Sequence, residues 1–365
     1  MSARATAVAE RIVALLDEGL FTATYKYAVL LGLLDLCLEK GMEAGPSGLT
    51  LTSRELAAKV LAIYWPQVRP TPLLGGSTLR QSGSGARDAR IVSRIASFKQ
   101  ATAADRAESP TRARARRPEA FGRLLDDVEQ VLIEMPLPRL QVIGRSPDEF
   151  LYHLGWATDV NRTEIRRYLR GQASSFDNRI IMRPGVAEAL AQLNGVLRPL
   201  IQRSWALKVA RLNNLRDAQL QDFLFGEERA GLDRIRQPLV ELGQGRCFLC
   251  GKPLTQRADV DHFIPWARVP NDNLENLVAV HPGCNQAKKD FLPALPHVAR
   301  WVVRLRAENP LLAGMESIAR AHEWPFDPPA TLGVARTIYR RLPPTAKLWL
   351  RADEFVERGR SAIGF

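Results

Sequence analysis

Three of the four cysteines in the chain, Cys247, Cys250 and Cys284, fall within 38 residues of one another. A chain that is sparing with cysteine but clusters it is better suited to metal binding than to disulfides. Cys247-Phe-Leu-Cys250 lets a tight turn aim two sulfurs at one ion, and Gly251 supplies permissive backbone directly after. His281-Pro-Gly-Cys284 repeats that spacing, with His281 lying 31 residues after Cys250. Three sulfurs and one imidazole make a closed tetrahedral zinc set, which keeps no open position and is expected to hold structure rather than do chemistry. In the competing reading His281 only packs and Cys284 is a free thiol.

Between the two pairs lies Val260-Asp261-His262-Phe263-Ile264-Pro265, and directly after Cys284 comes Asn285, with Lys288 and Lys289 one turn on. Phosphodiester hydrolysis needs a water nucleophile, a base to deprotonate it and positive charge for the leaving oxygen. His262 stands beside a carboxylate, and an imidazole, with an ordinary pKa of about 6.5, suits a general base. Asp261 offers a hard oxygen to a divalent cation, and the Asn285 side-chain carbonyl offers another. Two protein oxygens with phosphate and water fit Mg2+, which keeps several waters; Mn2+ suits the same ligands. Lys288, three positions after Asn285, shares its helix face and is expected to meet a phosphate oxygen, with the helix N-terminus adding partial positive charge. Neighbours on a strand point to opposite faces, so Asp261 and His262 reach one ion only where the strand bends, and Ile264-Pro265 is compatible with such a bend.

The ordered Cys-x-x-Cys, the Asp-His dyad before an apolar-Pro step, Asn273-Leu-Glu-Asn276-Leu277-Val278 and the Cys-Asn-x-x-Lys helix start resemble the HNH endonucleases. The resemblance covers about 46 residues, Gly245 to Asp290. It implies a ββα-metal fold in which two strands and a helix grip the catalytic ion, with Asn276 holding the His262 segment in place. It also implies cleavage of DNA, which is preferred over RNA by the family's habit. The sequence departs from the commonest pattern at His281, where a cysteine is usual, and at Asn285, where many relatives carry histidine; both retain suitable ligand atoms.

The elements that must position these residues read as mainly α. Periodic apolar positions predict two helices within residues 5–43. Thr52 with Glu55 resembles a capping box opening a helix to about Tyr64. Helices are also expected near 86–103, over Pro118–Glu134, Gly185–Asn213, Ala218–Phe225 and Leu232–Leu242, with Pro199 expected to kink or break the long one. Strand-like pieces lie near Leu140–Ile143 and Arg179–Met182. Residues 104–118, with Arg112, Arg114, Arg116 and Arg117 in a Pro-bounded stretch, read as a solvated linker or else a phosphate-binding arm. The expected organisation is a mostly helical recognition or partner-docking region over 1–240, an HNH domain over 241–294 and a helical C-terminal region over 295–365. His153, His297 and His322 have no partner at motif spacing and read as ordinary structural or surface histidines.

The net charge is +12, and only nine of the 51 basic residues are lysine. Arginine binds phosphate bidentately and stacks on bases, so a nucleic-acid partner is the first expectation, beside the plainer one of an arginine-rich compositional habit. Arg4, Glu10 and Arg11 precede any apolar run. The most apolar stretch, Ala28–Leu34, falls far short of the roughly 18–20 residues that span a bilayer. No secretory signal or membrane association is expected, and a cytoplasmic location is. The functional expectation is a metal-dependent DNA endonuclease; by analogy its targeted architecture suits bacterial restriction or anti-phage defence, with a protein partner docking on the helical N-terminal region. The competing reading is a catalytically inactive, zinc-stabilised nucleic-acid-binding module.

Overall fold

A computed structural model describes the chain apart from residues 1–2, 20, 42–44, 46–47, 84–88, 103–107, 157–160, 217–219, 227–230, 255–256 and 361–365. The helix Tyr25–Lys40 is buried at Lys26–Leu34 and Leu36–Leu38, because its sequence is apolar on every side. Such a helix can only be the centre of a core. The helices Ser53–Tyr64 and Val186–Asn213 pack against it, and Ala3–Glu18 packs against Val186–Asn213. Together with Arg90–Ala101, Pro110–Arg116, Pro118–Glu134, Arg162–Leu169 and Leu220–Phe225 they make up the first of two units, Met1–Gly226. A small antiparallel sheet with Arg179–Met182 between Thr50–Thr52 and Tyr152–Leu154 completes it.

The capping box is formed: the Glu55 backbone N–H donates to Thr52 Oγ1 at 3.2 Å, and the Thr52 N–H donates to Glu55 Oε2 at 2.9 Å. Val186–Asn213 runs through Pro199 as one helix, so the proline does not break it. A proline inside a helix costs ~3 kcal/mol; the buried Leu197, Ile201 and Trp205 and the 2.5 Å Arg198–Asp35 ion pair to the central helix offset it. The arginine-rich stretch is not a linker over its described part. It folds as the helix Pro110–Arg116, started by Ser109, whose Oγ accepts from the Arg112 N–H, and Arg116 and Arg117 both pair with the buried Glu108.

The second unit, Glu227–Phe365, contains the helix Asp233–Leu242, a hairpin of Asp259–His262 and Leu277–Val280, and the helix Pro282–Lys288. The helices Leu295–Arg304, Pro310–His322 and Pro328–Arg341 follow. The chain then forms a second hairpin, Lys347–Arg351 with Glu354–Glu357, where the sequence reading expected helix. The core of this unit is built on Trp301, whose ring stacks on Phe263 at 4.7 Å, with Phe248 edge-on to Phe263. The fold is mainly α, and the ββα segment lies in its C-terminal part. No described helix is long and apolar enough to cross a membrane.

Candidate active site and metal centre

The hairpin pairs Asp259 with Val280, Val260 with Ala279, Asp261 with Val278 and His262 with Leu277. In this register Asp259 and Asp261 share one face by the two-residue period, and Val260 and His262 the other. All four strand residues Leu277–Val280 are buried, so the hairpin is fixed from beneath by apolar packing. The helix Pro282–Lys288 then begins on the proline of His281-Pro-Gly-Cys284 and returns over the first strand.

The two Cys-x-x-Cys/His pairs meet. The ligand atoms of Cys247, Cys250, His281 and Cys284 all lie within 4.8 Å of one another, the one such group among the described residues. Gly251, at φ +73°, turns the first knuckle; its N–H donates to the Cys247 carbonyl at 2.8 Å, and the Cys247 N–H donates to the Lys252 carbonyl at 2.9 Å. His281 Nε2 is 3.0 Å from the Pro253 carbonyl, which fixes Nδ1 as the nitrogen facing the sulfurs, 3.3 Å from Cys250 Sγ. Burial and the charge on Cys247 and Cys250 push the Cys284 thiol up to about 12. Burial opposes ionisation of Cys250 as well, but hydrogen bonds from the Lys252 backbone, Cys247, His281 and Cys284 draw it down to about 7. A cation among the sulfurs would relieve this repulsion, and the donor set is one that zinc takes. The cluster can hold a zinc ion.

A cleft of about 720 Å³ is lined by Asp259, Asp261, His262, Asn285, Arg236, Arg257, Lys289 and Trp266, among others. Three of the residues singled out from the sequence, Asp261, His262 and Asn285, therefore open onto one space. His262 is the last residue of its strand, and its Nε2 lies 2.8 Å from Asp272 Oδ1. Asn285 donates its Nδ2 to Asp259 Oδ2 at 3.1 Å. That bond commits the amide nitrogen, so the carbonyl oxygen is the atom Asn285 can offer an ion.

Asn276 and Lys288 do not line the cleft. Asn276 is fully buried; it accepts from the Ile264 N–H at 2.8 Å and donates to the carbonyls of Ile264 at 3.2 Å and Asn271 at 3.0 Å. Its backbone carbonyl also accepts from the Phe263 N–H at 2.7 Å. The residue thus clamps the chain just past His262. Lys288 departs from its expected place: its side chain has no exposure, and its Nζ is 2.9 Å from Asp261 Oδ2 and 2.9 Å from the His262 carbonyl. An ammonium sealed against a carboxylate in this way does not line the cleft.

Residues 251–294 match the family model described as HNH endonuclease, and residues 5–224 match that of a domain of unknown function (DUF8808). The second match spans more than half of the chain. The chain belongs to the DUF8808 family and carries an HNH endonuclease domain. No curated protein and no solved structure matches it. Within the HNH domain, the sequence reading passed over Asp259, although Asp259-Val-Asp261 carries the period-two signal that puts both carboxylates on one strand face. It also passed over Asp272, ten residues from its partner in an irregular loop, for which no periodic signal exists.

Proposed function

We propose that the protein is a metal-dependent endonuclease that hydrolyses DNA phosphodiester bonds in the cleft of its HNH domain. The observation that carries this reading is the convergence of Asp259, Asp261, His262 and Asn285 on one cleft, flanked by Arg236, Arg257 and Lys289. His262 takes the proton of the attacking water as its oxygen bonds to phosphorus and the P–O bond to the leaving oxygen breaks. Asp261 and Asn285, with Asp259 beside them, would hold a divalent ion of the Mg2+ or Mn2+ kind, which neutralises charge on the phosphoryl and leaving oxygens. Asn276 keeps the His262 segment in register through its bonds to Ile264, and Lys288 orients Asp261. A zinc ion held by Cys247, Cys250, His281 and Cys284 would stabilise the segment and take no part in the reaction. Arg236, Arg257 and Lys289 bind the backbone phosphates.

An inert zinc-stabilised binding module would have no need for three oxygen donors and an imidazole lining one cleft. The helical N-terminal region would then select the target or dock a partner, an arrangement suited to restriction or anti-phage defence. Supercoiled plasmid incubated with the protein and Mg2+ or Mn2+ is expected to be nicked or linearised, and EDTA to abolish this. Conversion that is equal with and without the added ion would overturn the proposal.

A further inference from the structure

The loop joining the two hairpin strands, residues 263–276, carries an acidic residue that lies outside both the zinc set and the cleft lining. Asp272 Oδ1 is 2.8 Å from His262 Nε2. In a neutral imidazole one nitrogen donates and the other accepts. A carboxylate oxygen can only accept, so this contact places the proton on Nε2 and makes Nδ1 the nitrogen that can take a proton.

The contact is not one between two mobile surface groups. His262 is only 4% exposed, and Asp272 is held by the chain that follows the HNH match. Trp324 Nε1 donates to the Asp272 carbonyl at 2.7 Å, and the Leu274 N–H donates to the Pro325 carbonyl at 2.8 Å. The side-chain amides of Asn271 and Asn273 both donate to Thr331 Oγ1 at 3.1 Å. Thr331 Oγ1 in turn donates to the buried Glu275 Oε1 at 2.6 Å, where the Asp327 N–H also donates at 3.1 Å. Six hydrogen bonds therefore connect the segment Trp324–Thr331 to the loop that presents Asp272.

We propose that Asp272 is a positioning residue that sets the tautomer and orientation of His262, and that the segment Trp324–Thr331 holds it there. This rests on His262 acting as the base of the nuclease reading. It gives the chain beyond the HNH match a duty in catalysis: that segment helps to fix which imidazole nitrogen faces the water.

The test uses the full chain labelled with 15N-histidine, His262 being assigned by its loss in His262→Gln. The wild type is expected to show His262 as a single Nε2–H tautomer. Asp272→Asn is expected to lose that single tautomer. Its kcat should fall roughly 10- to 100-fold, part of the ~10²–10⁴-fold that a positioned base contributes, with KM, zinc content and melting temperature close to wild type. Trp324→Phe, which removes one hydrogen bond to the Asp272 backbone, is expected to lower kcat by about fivefold and to keep the proposal testable if Asp272→Asn misfolds. An unchanged tautomer with kcat within twofold of wild type in either folded variant would overturn it. If His262→Gln cleaves as well as wild type, the nuclease reading fails; the tautomer measurement still decides whether Asp272 holds His262.

Discussion

The Lys288 ammonium lies 2.9 Å from Asp261 Oδ2 and is completely buried, so one cation from the helix Pro282–Lys288 fixes a carboxylate of the strand Asp259–His262. Its second contact, to the carbonyl of His262, ties the same helix to the neighbouring residue. The buried pair couples the two halves of the ββα segment through charge rather than through apolar packing alone.

Lys288→Met removes one partner and leaves the other charge uncompensated. Breaking a buried pair in this way costs about 3–5 kcal/mol, and the loss should appear as a lower denaturation midpoint for the second unit together with loss of cleavage. The salt dependence of DNA binding distinguishes this role from a phosphate contact. The slope of log K against log salt should stay unchanged in a folded Lys288 variant, whereas loss of a phosphate contact would reduce it by about 1.

Asn276→Ala leaves the Ile264 N–H and the carbonyls of Ile264 and Asn271 without their partner. Each buried group so orphaned costs about 1–3 kcal/mol. Chemical denaturation should show a loss in that range or above it, and single-turnover cleavage should slow while substrate affinity holds. Asn276→Asp should do no better, because a carboxylate cannot donate to the two carbonyls.

Zinc analysis should give one ion per chain, lost in Cys250→Ser and Cys284→Ser and retained in His281→Cys, which supplies a fourth sulfur. Stripping the ion with a strong chelator is expected to unfold the second unit, since a site assembled from two distant knuckles converts binding energy into folding energy. The transition of the first unit, which holds none of the four ligands, should not move.

Burial pushes the Glu275 carboxyl up to about 7 from an ordinary value of 4.5. Between these values the folded protein keeps a proton that the unfolded chain releases, so this group's stabilising contribution is present in full at low pH and is lost as pH rises toward 7. The difference is roughly 3 kcal/mol. Glu275→Gln keeps the Oε1 acceptor for Thr331 and Asp327. It should therefore match wild type near pH 5 and be the more stable of the two near pH 8, measured as denaturation midpoints on zinc-loaded protein.

How much of this was legible beforehand depended on whether a residue's partner was local or distant. Cys247, Cys250 and Cys284 were readable because metal ligands need fixed short spacings, and the Thr52–Glu55 cap because its partners lie three residues apart. The apolar helix at Tyr25–Lys40 was equally plain. That the helix continues through Pro199 was not legible, because burial around Leu197, Ile201 and Trp205 outweighs a local helix penalty. The arginine run at 112–117 misled because its charge is partly answered by Glu108, which no short-range pattern reveals. Lys288 was placed on the correct helix, but its burial against Asp261 shows only in the packed structure. Asp272 depends on Trp324 and Thr331, more than 50 residues away, and nothing in a linear reading connects them.

The proposed function turns on His262 acting as the base of a metal-dependent hydrolysis. Single-turnover cleavage of DNA with saturating Mg2+ or Mn2+, comparing wild type with His262→Ala at equal zinc content, tests it most directly. Wild type is expected to cleave only with the metal, and the variant at a rate at least ~10²-fold lower. Equal rates for the two proteins, or no metal-dependent cleavage by wild type, would contradict it.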